Sequence, residues 1–247
     1  MKILQINAWT GRIKDGLSHF IIDGNYDVIC MQEAIWSDNC NGFLEYYADT
    51  VDKIQREAHY DYVLKSSNFG TKTLNGEYQF EIGNAILSKI PFINTEEEVV
   101  TGQYLAITNL SECKNTVDHR YTVQKAILDN GIAIVNYHGY WQKDPLGNET
   151  TIDCMRKVSQ FIKKDLRPTI MCGDLNVVYE SPAMRELDFM RDLTKENQLK
   201  TTLRNIRFVK DVACDHILTT HDIKSKNFKA IDAPISDHQA LTVEIDI

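Results

Sequence analysis

Short apolar runs that stop abruptly at a polar residue recur along this chain. The clearest is Pro168-Thr-Ile-Met-Cys-Gly-Asp-Leu-Asn176. A run bounded by Pro and Gly predicts a buried parallel strand, whose interior leaves no room for unpaired charge, so Asp174 and Asn176 fall at its end. Three other runs share the form: Ile3 to Trp9, interrupted by Asn7; Tyr26 to Glu33, ending in an acid; and Ile132 to His138. The carboxyl ends of strands in α/β proteins are where ligands bind. The plain alternative for each such residue is a cap, a turn or a salt bridge.

Between these runs the period changes. Ile13, Leu17, Phe20 and Ile21 predict a helix over 13–23, and amphipathic spacing predicts others over 43–57 and 151–164. Ser181-Pro182 begins a further predicted helix through Met190. Strands are predicted over 59–66, 80–88, 212–218 and 239–245, with β-rich segments at 95–110 and 119–137. Residues 67–79 read as a turn-rich stretch with a hairpin at Asn75-Gly76, and Asp129-Asn-Gly131 reads as a second hairpin turn. Residues 141–149 read as a polar loop, and the basic stretch 195–210 as an exposed loop and strand, a solvated face rather than a nucleic-acid groove.

No linker or repeat interrupts the 247 residues, so one domain over 1–247 is expected. Hydrophobic content of 43% with 25% charged residues is that of a folded globular chain. A net charge of -8 supplies no general basic surface for duplex nucleic acid. The six cysteines, at 30, 40, 113, 154, 172 and 214, form no CxxC pair and are expected to be reduced thiols, mostly buried. The first residues turn polar too early for a signal peptide, and no apolar stretch approaches the roughly 18 residues of a membrane span. A cytoplasmic monomer without stable membrane insertion is therefore expected.

Asn7, Glu33, His138, Asp174, Asn176, Asp215 and the pair Asp237-His238 lie nearly all at ends or turns of predicted β segments. Carboxylate and amide oxygens are hard ligands suited to Mg²⁺, which takes substrate phosphates as further partners. Zinc spacing and a Gly-rich phosphate loop are both missing from the sequence.

Gln5-Ile-Asn7, Met31-Gln-Glu33, Gly83-Asn-Ala-Ile-Leu-Ser88, Asn136-Tyr-His138, Gly173-Asp-Leu-Asn176, Asp215 and Ser236-Asp-His238, in this order, resemble the motifs of the endonuclease/exonuclease/phosphatase superfamily, which has the deoxyribonuclease-I-like fold. The resemblance runs from the first strand to the last. It implies a four-layer α/β/β/α sandwich of two mixed β-sheets flanked by helices, with the active site at one edge. It implies Glu33 as principal Mg²⁺ ligand (Mn²⁺ substituting), with Asn7 beside it and Asp237 in the metal-side network. Asp174 would orient or deprotonate the attacking water, and Asn176 would hold the water or the phosphate. His238 would contact the scissile phosphate with Asp215 setting its tautomer, and His138 would act on the phosphate or leaving-group side.

Three departures from the pattern stand out: Gly139 where many relatives have an apolar residue, Trp9 where some nucleases carry an acid, and His216 where an aromatic is usual. His216 is expected to be surface variation. Arg120 and Lys143 are candidate phosphate contacts, and Trp36, Tyr140 and Trp141 candidate substrate walls, with packing or solvated charge as the alternative for each. The expected function is a Mg²⁺-dependent phosphoesterase, a phosphodiesterase or nuclease acting on nucleic acid or a nucleotide-like substrate. The alternatives are a lipid or inositol-phosphate phosphoesterase, sphingomyelinase-like or phosphatase, and a catalytically silent binding module.

Overall fold

Period-two alternation along the first strand, β1 (Lys2–Asn7), sets the layering. Leu4 and Ile6 turn toward the helices Gly16–Gly24 (α1) and Thr50–Glu57 (α2), where they meet Leu17, Ile21, Val51 and Ile54. Ile3 turns the other way, into a second core that the two sheets share. A computed structural model describes residues 1–13, 16–37, 50–72, 78–107, 119–204 and 211–246.

The first sheet holds, in spatial order, Ser225–Ile231 (β12), Ala240–Ile245 (β13), β1, Val28–Trp36 (β2), Tyr78–Ser88 (β4), Tyr62–Lys72 (β3) and Leu105–Ile107 (β6). The second holds Arg191–Asp192 (β10), Asp215–Thr219 (β11), Thr169–Asp174 (β9), Ala133–Tyr137 (β8), Tyr121–Leu128 (β7) and Phe92–Thr101 (β5). Parallel pairs β1–β2, β3–β6 and β8–β9 sit among antiparallel ones, so both sheets are mixed. Helix Glu149–Ile162 (α3) and a 3-10 turn, Pro182–Leu187, cover the outer face of the second sheet through Met155, Val158, Phe161 and Leu187. Asn148 starts α3 with a reciprocal capping box on Thr151. The result is the expected α/β/β/α order.

Several elements differ in extent from the sequence reading. The turn-rich stretch after residue 66 continues as strand to residue 72, because β4 on one side and β6 on the other take up its backbone hydrogen bonds. The helix expected from Ser181 is instead a 3-10 turn, tied by bonds from Met190 N–H to the Leu187 carbonyl and from Asp188 N–H to Arg185, before the chain enters β10. Strand β12 carries no apolar alternation; it is a bulged edge strand bearing Lys226, Asn227 and Lys229, held by β13 alone. A short helix, Leu193–Glu196 (α4), starts the expected loop and is capped by Asp192. Gly131 closes the expected 129–131 turn at φ +86°.

The Asn75-Gly76 turn, residues 43–49 of the second expected helix, and Cys40 and Cys113 lie outside the described residues. Cys30, Cys154, Cys172 and Cys214 are buried free thiols. Among the described residues, no helix is long and apolar enough to cross a membrane.

Candidate active site

On the faces that the sheets turn toward each other, every central strand runs from apolar to polar. Ile3 is followed two residues on by Gln5 and then Asn7; Val28 and Cys30 by Gln32; Ile134 by Asn136; Ile170 and Cys172 by Asp174. Antiparallel β11 reads the same gradient backwards, from Ile217 to Asp215, whose backbone is in register with Asp174. The inter-sheet core is therefore stratified: aliphatic at one end, buried amides in the middle, carboxylates and histidines at the other end.

Asn7 stands at the end of β1 and is 1% exposed. Its Nδ2 donates to Glu33 Oε1 at 3.1 Å and to Asp174 Oδ2 at 2.9 Å, while its Oδ1 accepts from Trp9 N–H at 3.0 Å. Asn7 thus spaces two carboxylates that would otherwise repel. Glu33 sits on a register shift between Met31 and Ala34, with φ +46°. That bulge turns an otherwise buried strand outward at one residue and leaves the Glu33 carboxylate half-buried. Asp174 is 2% exposed; its Oδ1 accepts from Asn176 N–H at 3.0 Å. Asn176 has φ +56° and donates from Nδ2 to the Gly139 carbonyl at 2.9 Å.

Asp215 is fully buried, and four donors converge on it. His238 Nδ1 lies 2.8 Å from Oδ2, the Thr202 hydroxyl 2.6 Å from the same oxygen, Gln5 Nε2 3.0 Å from Oδ1, and the Cys214 thiol 3.8 Å from Oδ2. Burial opposes both charges, but each partner holds the other ionised. His238 is pushed well above the usual imidazole range by Asp215 and Asp174, and Asp215 is drawn below the usual carboxylate range by His238, Thr202 and Gln5. The ring is thus held at Nδ1 by Asp215, which favours its charged form. Its Nε2 points to Asp174 Oδ2 at 3.8 Å, and His138 Nε2 reaches the same oxygen at 3.6 Å. Ser236 ties this last segment to the first strand, donating to the Asn7 carbonyl at 2.6 Å and accepting from His238 N–H at 3.2 Å. Asp237 is thereby carried to the end of β1, 4% exposed, its backbone carbonyl accepting from Arg204 N–H at 2.8 Å.

The structure brings Asn7, Glu33, His138, Asp174, Asn176, Asp215, Asp237 and His238 to one end of the sandwich. Ligand atoms of Asp174, Cys214, Asp215 and His238 lie within 4.8 Å of one another, and of these Asp215 already takes hydrogen bonds from Thr202, Gln5 and His238. The half-buried Glu33 carboxylate has one oxygen on the Asn7 amide and is a hard oxygen donor of the kind a divalent cation prefers.

The substrate-side candidates are more scattered. Arg120 donates from Nε to the Ser67 carbonyl at 2.7 Å and lies over the Tyr104 ring at 5.4 Å, so part of its donor fork serves the protein itself. Trp141 is 54% exposed, and Lys143 stands exposed on the same loop just after His138. Tyr140 packs on Tyr121 with ring centroids 5.3 Å apart. Trp36 is buried in the core cluster that also holds Ile54 and Tyr60.

His216 is not surface variation. It is 0% exposed, with Nδ1 2.9 Å from Asp192 Oδ2 and Nε2 2.9 Å from the Val177 carbonyl, pinning the loop that follows Asn176. Gly139 has an equally local cause: a Cβ there would stand 2.0 Å from the Leu175 carbonyl oxygen, where the chain after His138 crosses the Asp174 loop. Thr202 escaped the sequence reading because nothing in a lone loop threonine marks it; only tertiary contact puts it on Asp215.

The family model for the Endonuclease/Exonuclease/phosphatase family matches residues 4–238. No curated protein matches the sequence. Among solved structures, the chain is similar over its whole length to a mannosyl-6-phosphatase from Bacteroides thetaiotaomicron (13% identity, 100% of that chain, TM-score 0.71). It is similar to an endonuclease/exonuclease/phosphatase from Beutenbergia cavernae (12% identity, 100% of this chain, 71% of that one, TM-score 0.71). It also resembles sphingomyelinase C from Streptomyces griseocarneus (14% identity, 98% of each chain, TM-score 0.59). At these identities the likeness is one of fold.

Proposed function

The chain belongs to the Endonuclease/Exonuclease/phosphatase family, whose members hydrolyse phosphoester bonds and are generally dependent on a divalent metal, and on that premise we propose that it is a Mg²⁺-dependent phosphodiesterase. Its substrate is a nucleotide-like or nucleic-acid diester, cleaved by in-line attack of water. One observation carries the diester reading. Among the described residues, no Lys or Arg side chain pairs with Asp174, Asp215, His138 or His238, and within the cluster His238 is the group whose charged form Asp215 and Asp174 favour. A doubly charged monoester calls for a further fixed cation more than a singly charged diester does.

Asp174 is the group that takes the proton of the attacking water, at Oδ2, which Asn7 steadies and two imidazoles flank. His238 presents Nε2–H to a non-bridging phosphoryl oxygen, and Asp215, gripping Nδ1–H, keeps the ring charged and correctly turned. His138, with Nε2 3.6 Å from Asp174 Oδ2, acts on the phosphate or leaving-group side. Glu33 and Asp237 would hold the cation, which when bound polarises the phosphoryl oxygen and offsets its charge. No covalent enzyme intermediate is needed.

The test is hydrolysis of bis(p-nitrophenyl) phosphate against p-nitrophenyl phosphate, with Mg²⁺, with chelator, and with Asp174→Asn. Diester turnover abolished by chelator and by the substitution is expected, and dinucleotides are then the next substrates to try. Faster turnover of the monoester would move the assignment to a phosphatase, the activity that the name of the Bacteroides thetaiotaomicron neighbour carries.

A further inference from the structure

Beneath the catalytic groups lies the tier of buried amides, whose hydrogen bonds run in one direction only. Asn136 Nδ2 shares its two hydrogens among the backbone carbonyls of Met31 at 3.0 Å and Ala85 at 3.1 Å and Gln124 Oε1 at 3.2 Å. Backbone carbonyls can only accept, so the Asn136 amide cannot be flipped and its Oδ1 must face Gln32. Gln32 Nε2 therefore donates to it, at 2.7 Å, and Gln32 Oε1 faces Gln5. Gln5 has to answer with a donor: its Nε2 gives one hydrogen to Gln32 Oε1 at 2.9 Å and the other to Asp215 Oδ1 at 3.0 Å.

We infer that Gln5 is a positioning residue for the reaction, a fixed double donor that locks the Asp215 carboxylate so that Oδ2 stays on His238 Nδ1. This rests on the phosphodiesterase reading above. A second observation points the same way. Gln5 Oε1 is buried and has no hydrogen-bond partner, an uncompensated desolvation that a Leu or Met at this position would not carry. What the glutamine supplies for that cost is its pair of hydrogens. Thr202 and His238 occupy the other carboxylate oxygen, so the hydrogen from Gln5 stops Asp215 from rotating about its Cβ–Cγ bond. The orientation of the dyad is thus carried from the backbone of β2 and β4 through three side chains, Asn136, Gln32 and Gln5.

The experiment is a double-mutant cycle on bis(p-nitrophenyl) phosphate turnover with Mg²⁺: wild type, Gln5→Met, Asp215→Asn and the double variant, each checked for folding by circular dichroism. Gln5→Met removes both donors at nearly constant volume. Its kcat is expected to fall about 10- to 100-fold, the worth of one charge-assisted hydrogen bond, with KM within about twofold. In the Asp215→Asn background the same substitution should cost less than about threefold, because the charge it serves has gone. Gln5→Leu, which also removes both donors without adding charge, substitutes for Gln5→Met in the cycle if the methionine variant does not fold. A kcat near the wild-type value, or an equal loss in both backgrounds, overturns the inference. If instead Asp215→Asn itself keeps full activity, the dyad of the proposed function is what fails.

Discussion

Replacing His216 by phenylalanine separates a buried charge from the shape of the ring that carries it. His216 donates from both ring nitrogens, at 2.9 Å to Asp192 and 2.9 Å to the Val177 carbonyl, and is therefore an imidazolium. Burial disfavours that charge, but Asp192 and the Val177 carbonyl outweigh it, so the pKa is raised above the ordinary histidine value. Removing one member of a buried pair costs about 3–5 kcal/mol. The lower end applies here, because the stranded Asp192 keeps 9% exposure and its Oδ1 still caps α4 through Thr194 and Lys195 N–H. About 3 kcal/mol, or a Tm lower by roughly 6–12 °C in a chain of this size, is expected.

The assay is urea unfolding of wild type and His216→Phe at several pH values. A group whose pKa rises on folding contributes fully below its unfolded value, about 6.5, and loses that contribution as pH climbs through the folded value. The gap between the two proteins should therefore be widest near pH 6 and narrow toward alkaline pH. A gap under about 1 kcal/mol at pH 6, or one that widens with pH, would refute the reading of His216 as a buried imidazolium.

Other expectations concern the site directly. Glu33→Gln should abolish Mg²⁺ binding in calorimetry while leaving the unfolding midpoint unchanged or higher, since a carboxylate beside Asp174 is removed; unaltered Mg²⁺ affinity would dismiss Glu33 as the ligand. Asp174→Asn should lower kcat by about 10²- to 10⁴-fold with folding intact, as expected for loss of a general base. Gly139→Ala forces a Cβ onto the Leu175 carbonyl oxygen and should destabilise by at least about 1–3 kcal/mol, with activity falling as the Asp174 loop shifts. A variant as stable as wild type would mean that the two backbones part at little cost.

Strand ends were the most legible feature of the chain. Asn7, Glu33, His138, Asp174 and Asp215 stand out from sequence because each interrupts or terminates an apolar run, and a charge inside a two-sided buried strand demands a reason. Thr202 carried no such mark, since one threonine in a polar loop is unremarkable until Asp215 lies 2.6 Å away. His216 was misread for the converse reason: adjacent to Asp215 in a short run, it shows no periodicity of its own, and its partners Asp192 and Val177 are 24 and 39 residues distant. Strand β12 lacked the usual signal because an edge strand faces solvent and needs no apolar alternation.

By itself the sequence determined the kind of the central elements and which side chains stand at the polar ends of the strands, because burial enforces local patterning that one chain displays openly. Only the tertiary structure decided the partnerships. It laid β11 antiparallel to β9, so that Asp215 meets Asp174 in register, and it brought Ser236 across 229 residues to the Asn7 carbonyl. It also set the direction of the amide tier from Asn136 to Gln5. Each of these depends on which faces of two sheets meet, and hydrogen-bond direction is fixed by the last acceptor in the chain of contacts, a backbone carbonyl far from Gln5 in sequence.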